Sequence, residues 1–551
     1  MEMFTQAQVM FPHAQKCDLD LGAKLLRIDD CEMSDFQRLA ALAEDLGYSC
    51  HMQRQEGSVW FACYVYRDET VTLSFSSREQ VVRLIAETGS ALPPQEVCKE
   101  ELCEPLVTQV RESYFGFDCG MTYVIRLCDG RFVLIDSGMG EFDEAEHLLD
   151  ILQKQNVLDS KPVIALWFIT HPHTDHFLLF VKLMKQYRDR FELQRLAYNW
   201  APLEMASAPS DLPQFNEVIA QLQGVQRITV RSGQHYSLGG AVFDVLYAFD
   251  DMLPGYIHGL NITSIVMRME LGGRRFLWLG DAMQLVADYI CSRYEEDSLR
   301  CEIMQVGHHG YSGGSDQLYR IVDPEYLLWP CPNFWYPVVS LWPSNVYLME
   351  SERIRSIYVG GREETVLELT KPLPESMPYK RFDSCKPGDV LYHEDFCGMS
   401  PYQLFFSCIT GGSTGYQPLE LVLPGDGSCS LQSGTCYSVC EFLQPGQMAN
   451  APSFTLTITG CAGEHCEQFG LFWNYEKPTV WSDEHALWIG IQPGKPFTAK
   501  LTADAVSGTA ELYCNDVLVQ KLAYQPEKER GLYLLMRNAA VVLNEITVIK
   551  N

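Results

Sequence analysis

The chain has few of the features that mark secreted or membrane proteins. Its 551 residues include no uninterrupted apolar run of the roughly 18 residues that a membrane helix needs. The N-terminal segment, Met1 to Lys16, has a glutamate at position 2 and no apolar core, unlike a secretory signal peptide. We therefore predict a protein without a membrane span, located in the cytoplasm.

Positive charge is also scarce. The chain has 42 lysines and arginines against 71 aspartates and glutamates, which gives a formal net charge of −29. The acidic residues are spread along the chain and form no block. Because an acidic surface repels phosphate backbones, the composition argues against a nucleic-acid partner. It favours a small-molecule or cell-surface substrate.

The 20 cysteines include no Cys-x-x-Cys pair, so a spacing typical of many zinc and redox sites is absent. The closest pairs along the chain are Cys98 with Cys103, Cys436 with Cys440 and Cys461 with Cys466. Without a secretory signal we expect reduced and mostly buried thiols, since free cysteine packs as a small apolar side chain. Disulfides in the C-terminal half are the alternative.

The densest group of metal-binding side chains lies in Phe168 to Phe177. The preceding run, Val163 to Thr170, is apolar and β-branched and predicts a buried strand. Three histidines and an aspartate then follow within six positions: His171, His173, Asp175 and His176. Side chains two residues apart in an extended segment point the same way, so His171, His173 and Asp175 share one face. His176, next to Asp175, can turn toward a second, adjacent metal position. Imidazole and carboxylate at this density favour a transition metal such as zinc.

Further polar side chains follow three other apolar runs. They are Asp136, Asp281 and the pair His308-His309. The runs that precede them are Phe132 to Ile135, Arg275 to Gly280 and Ile303 to Val306. A carboxylate at the end of a buried strand is costly unless it is paired or binds a metal. Helix-like stretches between the runs predict βαβ units, which bring these strand ends to one edge.

These motifs resemble a known family. His171-x-His173-x-Asp175-His176 at a strand end is similar to the signature of the metallo-β-lactamase superfamily. The later motifs Asn261-x-x-Ser264, Gly280-Asp281 and His308-His309-Gly310 resemble the branch with the soluble domain of DNA-uptake competence proteins and the phosphorylcholine esterases. The resemblance covers about residues 107 to 372. It implies an α/β fold, the αββα metallo-β-lactamase sandwich.

The resemblance also implies roles for single residues. Asp281 would bridge two metal ions, His308 would be the last ligand, and His309 would line the pocket. Asp136 would support the metal loop by hydrogen bonds without being a ligand. The remaining implied ligands are His171, His173, Asp175 and His176. The implied cofactor is Zn²⁺, as one or two ions, with Mn²⁺ or iron as alternatives.

One histidine of the superfamily pattern is missing between the first motif and Asp281. His258 is the better candidate for this ligand, and His235, in a predicted turn, is the poorer one. Asn261 can instead stand nearby as a supporting residue. The number of ions therefore stays open at this point.

The predicted function is a metal-dependent hydrolase that uses a metal-bound hydroxide on a phosphoester or phosphodiester. Asp175 would orient or deprotonate the water. Adjacency alone suggests that His309 and Tyr311 protonate a leaving group or hold an oxyanion. The alternatives are an ester, thioester or lactam hydrolase, or a degenerate metal-binding module with no turnover.

The flanking regions predict separate domains. Residues 1–104 read as a small α+β domain, with a helix from Ser34 to Leu46 and a second from Ser76 through Ile85. Residues 105–372 form the metallo-β-lactamase-like catalytic domain, and the proline-rich residues 373–400 a linker. Residues 401–551 predict an all-β sandwich that loosely resembles concanavalin-type jelly rolls. Such domains often bind glycans through surface aromatic residues, and the candidates are Trp473, Trp481 and Trp488.

Overall fold

The protein is described by a computed structural model. The residues it describes are 2–19, 22–111, 114–115, 118–140, 143–200, 212–255, 259–331, 336–340, 342–361, 364–374, 386–396, 420–422, 424, 426–435, 438–443, 452–474, 486–525 and 531–551. Among these residues no helix is both long and apolar enough to cross a membrane.

The N-terminal region is an antiparallel 6-stranded sheet with two helices, in the strand order β1-β2-β6-β5-β4-β3. Its elements are α1 (Glu2–Met10), β1 (Gln15–Asp18), β2 (Lys24–Ile28), α2 (Met33–Asp45), β3 (Ser49–Glu56), β4 (Val59–Tyr66), β5 (Glu69–Ser76) and β6 (Val81–Thr88). Both helices pack on one face of the sheet, where Phe4 and Phe36 join Leu26 and Leu84 in one apolar cluster.

The helix predicted from Ser76 through Ile85 is wrong. Ser76 and Glu79 form a turn, in which the Glu79 N–H donates to the Ser76 hydroxyl, 3.2 Å apart. The following Val81–Thr88 is strand β6, paired on both sides with β2 and β5. Its valines and isoleucine fit a pleated surface better than a helix, and the two neighbouring strands provide every ladder partner.

The middle of the chain forms two packed sheets. The first has the order β15-β14-β12-β11-β10-β7-β23, with β13 beside β12. Its strands and helices are β7 (Leu106–Gln109), β10 (Tyr123–Arg126), β11 (Phe132–Ile135), α3 (Glu144–Gln155), β12 (Val163–Ile169), α4 (Thr174–Gln186), β13 (Glu192–Leu193), β14 (Arg195–Tyr198), α5 (Leu212–Gln221), β15 (Gln226–Thr229) and β23 (Thr365–Glu368). A separate two-stranded hairpin consists of β8 (Tyr114–Phe115) and β9 (Asp118–Cys119).

The second sheet has the order β16-β17-β18-β19-β20-β21-β22. Its elements are β16 (His235–Leu238), β17 (Ala241–Tyr247), β18 (Val266–Leu271), β19 (Arg274–Trp278), α6 (Gln284–Arg293), α7 (Glu296–Leu299), β20 (Ile303–Gln305), α8 (Asp316–Val322), β21 (Tyr326–Trp329), α9 (Tyr336–Val339), α10 (Val346–Glu350) and β22 (Ser356–Val359).

Buried side chains show how the layers stack. Phe168 of the first sheet and Trp278 of the second share the apolar core between the sheets. The outer face of the first sheet packs on α3, α4 and α5. The outer face of the second sheet packs on α6 and α8, and also on Phe61 and Ile85 of the N-terminal sheet. The result is the expected αββα sandwich, with the N-terminal sheet as a further layer on one side.

The C-terminal region is all β. A 10-stranded sheet follows the path β25-β26-β33-β28-β30-β31-β32, with β24 and β27 beside β33 and β29 beside β28. The strands are β24 (Val390–Glu394), β25 (Glu420–Val422), β26 (Cys429–Gln432), β27 (Ser438–Leu443), β28 (Phe454–Asn474), β29 (Ala486–Trp488), β30 (Pro496–Asp504), β31 (Thr509–Cys514), β32 (Val517–Ala523) and β33 (Gly531–Lys550). Because β24 pairs with β33, the predicted linker contains the first strand of this sheet.

Many of the cysteines whose side chains the structure describes are buried, and none of these described cysteines is in a disulfide. Cys98, Cys103, Cys461 and Cys466 are among them. Cys436 lies outside the described residues, as does the side chain of Cys440.

Candidate metal centre

The candidate site forms where parallel strands end. Asp136 follows β11, and His171 follows β12, its parallel neighbour in the first sheet. In the second sheet Asp281 follows β19, while His308 and His309 follow its parallel neighbour β20. The two sheets face each other, so four strand ends bring their polar side chains to one place.

A first group of potential ligands consists of His171, His173 and Asp281. The His171 Nε2 and His173 Nδ1 atoms are 3.0 Å apart. His171 Nε2 lies 3.6 Å from Asp281 Oδ2. His171 is anchored from behind, because its Nδ1 is 3.1 Å from the Thr170 hydroxyl.

A second group consists of Asp175, His176, Asp281 and His309. The Nε2 atom of His176 lies 3.5 Å from Asp175 Oδ2 and 3.3 Å from Asp281 Oδ2. The Nε2 atom of His309 lies 3.3 Å from Asp175 Oδ2 and 3.5 Å from Asp281 Oδ1. Ligands of one tetrahedral zinc, each about 2.0–2.2 Å from the ion, are separated by similar distances.

Asp281 belongs to both groups, which gives it the position of a bridging carboxylate. Its backbone N–H donates to the Ser264 hydroxyl, 3.1 Å away. The side chain of Gln305 fixes the turn before it, by accepting from the Leu279 N–H at 2.8 Å and donating to the Gly280 carbonyl at 3.0 Å. The sequence marks Ser264 only as part of the Asn261-x-x-Ser264 motif, without a role of its own, and it gives no signal for Gln305.

Asp136 is buried behind the second group. Its carboxylate accepts from His176 Nδ1 at 2.8 Å, from the Thr170 N–H at 2.7 Å and from the Thr170 hydroxyl at 2.8 Å. The hydrogen bond from His176 Nδ1 fixes the ring so that Nε2 faces Asp175 and Asp281. Carboxylates commonly orient metal-binding histidines in this way. Asp136 has a φ of 54°, a strained backbone conformation that these hydrogen bonds hold in place.

The two adjacent histidines point in different directions. His308 and His309 have left-handed φ values of 49° and 52°. The His309 Nδ1 donates to the Pro330 carbonyl at 2.6 Å, which leaves the Nε2 lone pair facing Asp175 and Asp281. The His308 Nε2 instead lies 3.0 Å from the Asn261 amide nitrogen and 3.9 Å from Asp281 Oδ2.

Sequence reasoning assigned the last ligand to His308 and the pocket wall to His309. In the structure His309 belongs to the second group of potential ligands, and His308 belongs to neither group among the described residues. The two residues are neighbours in sequence, and both have a left-handed backbone conformation, with their rings directed to different partners. Gly310 completes this turn, since a Cβ at its φ of 88° would lie 2.5 Å from the Trp329 indole nitrogen.

Burial and charge act against each other in the centre. Burial lowers the pKa of His171 well below its usual value, and His176 adds to this effect. Burial also opposes ionisation of Asp281, but His176, His309 and His308 hold the pKa of its carboxyl well below the usual range. His176 has the opposite balance, since Asp281, Asp175 and Asp136 outweigh its burial and raise its pKa. Because imidazole ligands bind a metal in the neutral form, a divalent transition ion would have to displace the proton that His176 holds beside these carboxylates.

The remaining candidates lie elsewhere. His258 is outside the described residues. His235 is engaged with Asp244, 2.8 Å from its Nδ1, at the start of β16. The Tyr311 ring lies 5.9 Å from the His308 ring and packs against Trp342 at 5.7 Å between centroids. Trp488 is half-buried on β29, whereas the side chains of Trp473 and Trp481 are outside the described residues.

Comparisons with known proteins bear on the middle of the chain. The sequence profile of the Metallo-beta-lactamase superfamily matches residues 117–229. No curated protein matches the chain.

Among solved structures, the chain is similar to the metallo-beta-lactamase fold protein YhfI from Bacillus subtilis, at 15% identity over 41% of this chain and 85% of that one, with a TM-score of 0.27. It is also similar to CmlA, a diiron beta-hydroxylase from Streptomyces venezuelae, at 13% identity over 42% and 45% of the two chains, with a TM-score of 0.26. A third similarity is to the carbohydrate binding module CBM66 from Bacillus subtilis, at 13% identity over 26% and 94%, with a TM-score of 0.19.

The matched residues 117–229 include Asp136 and the whole motif from His171 to His176. They also include β10 to β15, most of the first sheet of the αββα sandwich. The chain therefore contains a metallo-β-lactamase superfamily domain with a candidate metal centre of histidines and aspartates.

Proposed function

We propose that this protein is a metal-dependent hydrolase of phosphoesters or phosphodiesters. The observation that carries the proposal is the pair of ligand groups that share Asp281 at the ends of four strands. A shared carboxylate between two sets of imidazole nitrogens suits two neighbouring cations, and hydrolysis is the common chemistry of such sites.

The histidines and aspartates of the two ligand groups fit a divalent transition-metal cofactor. His171, His173 and Asp281 would hold the first ion, and Asp175, His176, Asp281 and His309 the second. We propose zinc, since imidazole and carboxylate suit it, although Mn²⁺ and iron use the same donors. When bound, two such ions supply Lewis acidity, which polarises a phosphoryl oxygen and lowers the pKa of water.

The protein's own residues would orient the reacting water. Asp175 Oδ2 lies 3.3 Å from His309 Nε2, and its side chain is partly exposed, so it can accept a hydrogen bond from water beside the centre. We assign His309 a ligand role in place of the predicted proton transfer, because Pro330 already holds its other nitrogen. Tyr311, beside His308, remains our candidate for contact with the leaving group.

Two observations favour a phosphoester as the bond that the protein hydrolyses. The motifs from Asn261 to Gly310 resemble the branch with competence proteins and phosphorylcholine esterases. The acidic chain also favours a small or cell-surface substrate over duplex DNA. We further propose that the C-terminal all-β region binds a glycan, with the half-buried Trp488 as the aromatic residue to test.

Substrate screening with metal-loaded protein tests the reaction class. We expect turnover of a chromogenic phosphodiester such as bis(p-nitrophenyl) phosphate, and little turnover of p-nitrophenyl acetate. Preferred cleavage of the acetate would support the ester hydrolase alternative. Full metal loading without turnover of any phosphoester, carboxylic ester, thioester or lactam would leave a metal-binding module.

A further inference from the structure

A cavity of about 390 Å³ lies where the N-terminal region meets the first sheet of the sandwich. Its walls include the end of β6, the ends of β14 and β15, the start of α5 and the turn at Phe249. Small-molecule sites commonly have a volume of this size, and in open α/β sheets ligands bind at the carboxyl ends of the strands. The cavity therefore has the size and the position of a binding site.

This cavity is separate from the metal centre. None of the described residues that line it belongs to either ligand group. Trp200, in its wall, packs against Phe177 and Phe215, with ring centroids 5.5 and 4.1 Å away. Because Phe177 directly follows His176, the contact with Trp200 connects the cavity wall to the metal motif. A ligand in the cavity would nevertheless touch none of the candidate metal ligands.

The buried arginine of the cavity wall already has its charge balanced. The Arg231 Nη2 atom lies 2.8 Å from Glu87 Oε2, and its Nη1 atom lies 2.7 Å from Asp250 Oδ1. All three side chains are buried. Two carboxylates outweigh the charge of one guanidinium, so an anion beside Arg231 would be repelled. The inner part of the cavity therefore favours uncharged groups.

Asn199 provides a hydrogen-bond acceptor at the cavity wall. Its Nδ2 atom donates to the Val230 carbonyl and to Asp250 Oδ2, both at 2.8 Å. Since both partners are acceptors, they fix the orientation of the amide. The Oδ1 atom has no hydrogen-bond partner among the described residues, although Asn199 is only 5% exposed. A donor on a ligand in the cavity would satisfy this oxygen.

Arg227 is the charged residue of the cavity wall that has no opposite charge beside it. Its guanidinium donates to the Ile219 carbonyl of α5 at 2.5 Å, and no carboxylate among the described residues lies within ion-pair distance of it. Arg227 is exposed, so its remaining N–H groups are accessible at the rim of the cavity. A planar guanidinium with free N–H groups matches the geometry of a carboxylate.

We propose that this cavity binds a small organic carboxylate with an apolar ring. The carboxylate pairs with Arg227 at the rim, and an N–H or O–H group of the ring donates to Asn199. The ring itself lies against the apolar part of the wall, which includes Leu19, Ala23 and Ile228. A purely apolar ligand would leave the Asn199 oxygen without a donor, and a cation would be repelled by Arg227. The inference does not depend on the proposed hydrolase activity.

The test uses the full-length, metal-loaded protein and three probes of similar shape. Indole-3-acetate carries the ring, the N–H donor and the carboxylate, whereas indole-3-acetamide lacks the charge and 1-methylindole-3-acetate lacks the donor. Calorimetry measures the affinity of each probe. We expect indole-3-acetate to bind about tenfold more tightly than the acetamide, because hydrogen bonds to a charged group are the stronger ones. It should bind about fivefold more tightly than the methylated probe, which loses one neutral hydrogen bond.

The variant Arg227→Gln should bind indole-3-acetate about tenfold more weakly and the acetamide as before. Arg190→Gln, which changes an exposed arginine after α4, is the matched control and should alter no affinity. Equal affinities of indole-3-acetate and either other probe would overturn the proposal, as would the absence of binding. Binding of the carboxylate at the metal centre would overturn it too, and Arg227→Gln would then leave the affinity for indole-3-acetate unchanged.

Discussion

At the scale of single residues, the centre depends on side chains that do not touch a metal. Asp136 combines three hydrogen bonds with complete burial, and burial raises the pKa of its carboxyl against the opposing effect of His176. The role of Asp136 is to orient His176 and to close the turn at Thr170. Local spacing indicates the candidate ligands, whereas the supporting role of Asp136 follows only from the family resemblance, because it depends on the pairing of β11 with β12.

Replacing Asp136 by Asn tests this orienting role. The amide would face the donors of Thr170 and His176 with a donor of its own, so His176 would no longer be held with Nε2 toward Asp281. We expect metal affinity to fall about 10–100-fold, the usual cost of losing such a partner. Competition with a chelator measures it, and Asp150→Asn on the exposed face of α3 is the control. An affinity equal to that of the control would show that Asp136 does not orient the ligand.

At the scale of elements, local patterns predicted most of the strands but failed where long-range pairing decides. The segment from Ser76 to Ile85 has a helix-start pattern, yet β2 and β5 on either side make Val81–Thr88 a strand. Likewise, the choice between His308 and His309 depends on a left-handed turn after β20. The periodicity of the sequence predicts neither the strand at Val81–Thr88 nor the turn at His308 and His309, because both depend on contacts with residues far along the chain.

Local sequence patterns also do not predict the contact between the N-terminal sheet and the second sheet. Arg231 is buried between Glu87 of β6, at 2.8 Å, and Asp250, at 2.7 Å. Arg268 of β18 reaches Glu56 of β3 at 2.9 Å and Asp244 of β17 at 2.8 Å. These ion pairs join residues up to 212 positions apart, so charge patterns within single segments could not reveal them.

The ion pairs of Asp244 make stability depend on pH. Although burial opposes its ionisation, His235, Arg54 and Arg268 lower the pKa of Asp244 to about 2. Because this lies below the unfolded value of about 3.9, the stabilisation is complete above about pH 5 and is lost as the pH falls from there toward 2. It corresponds to about 2–3 kcal/mol.

Urea unfolding of the unmodified protein and of Asp244→Asn measures this dependence. We expect the difference in unfolding free energy between them to shrink as the pH is lowered from 6 to 2. Asp150→Asn should follow the unmodified protein at every pH. A difference that stays constant over this range would show that Asp244 is not ionised in the folded state at neutral pH.

At the scale of the whole molecule, the N-terminal sheet and the metallo-β-lactamase domain share one core. Phe61, Val59 and Ile85 pack with Leu277 and Met304 of the second sheet. The C-terminal sheet has its own apolar cluster, from Leu391 to Val548. Two of the three regions are thus packed together, while the third has a separate core. Sequence composition predicted three units but not this unequal association.

Truncation tests that arrangement. A fragment of residues 1–374 should fold and bind metal as the full chain does, because it keeps both parts of the shared core. A fragment of residues 105–374 should be aggregation-prone and lose cooperative unfolding, because it exposes the apolar surface of the second sheet that the N-terminal sheet covers in the full chain. Calorimetric unfolding and metal content of both fragments provide the comparison. Equal stability of the two fragments would show that the N-terminal sheet is dispensable for the fold.

The central claim is a metal centre bridged by Asp281, and metal content per chain tests it most directly. Elemental analysis of the unmodified protein and of Asp281→Ala, after reconstitution with zinc, should give two ions per chain in the first. The variant should lose most of both, because each ligand group loses its shared carboxylate. One ion or none in the unmodified protein, or two ions retained by Asp281→Ala, would contradict a bridged centre.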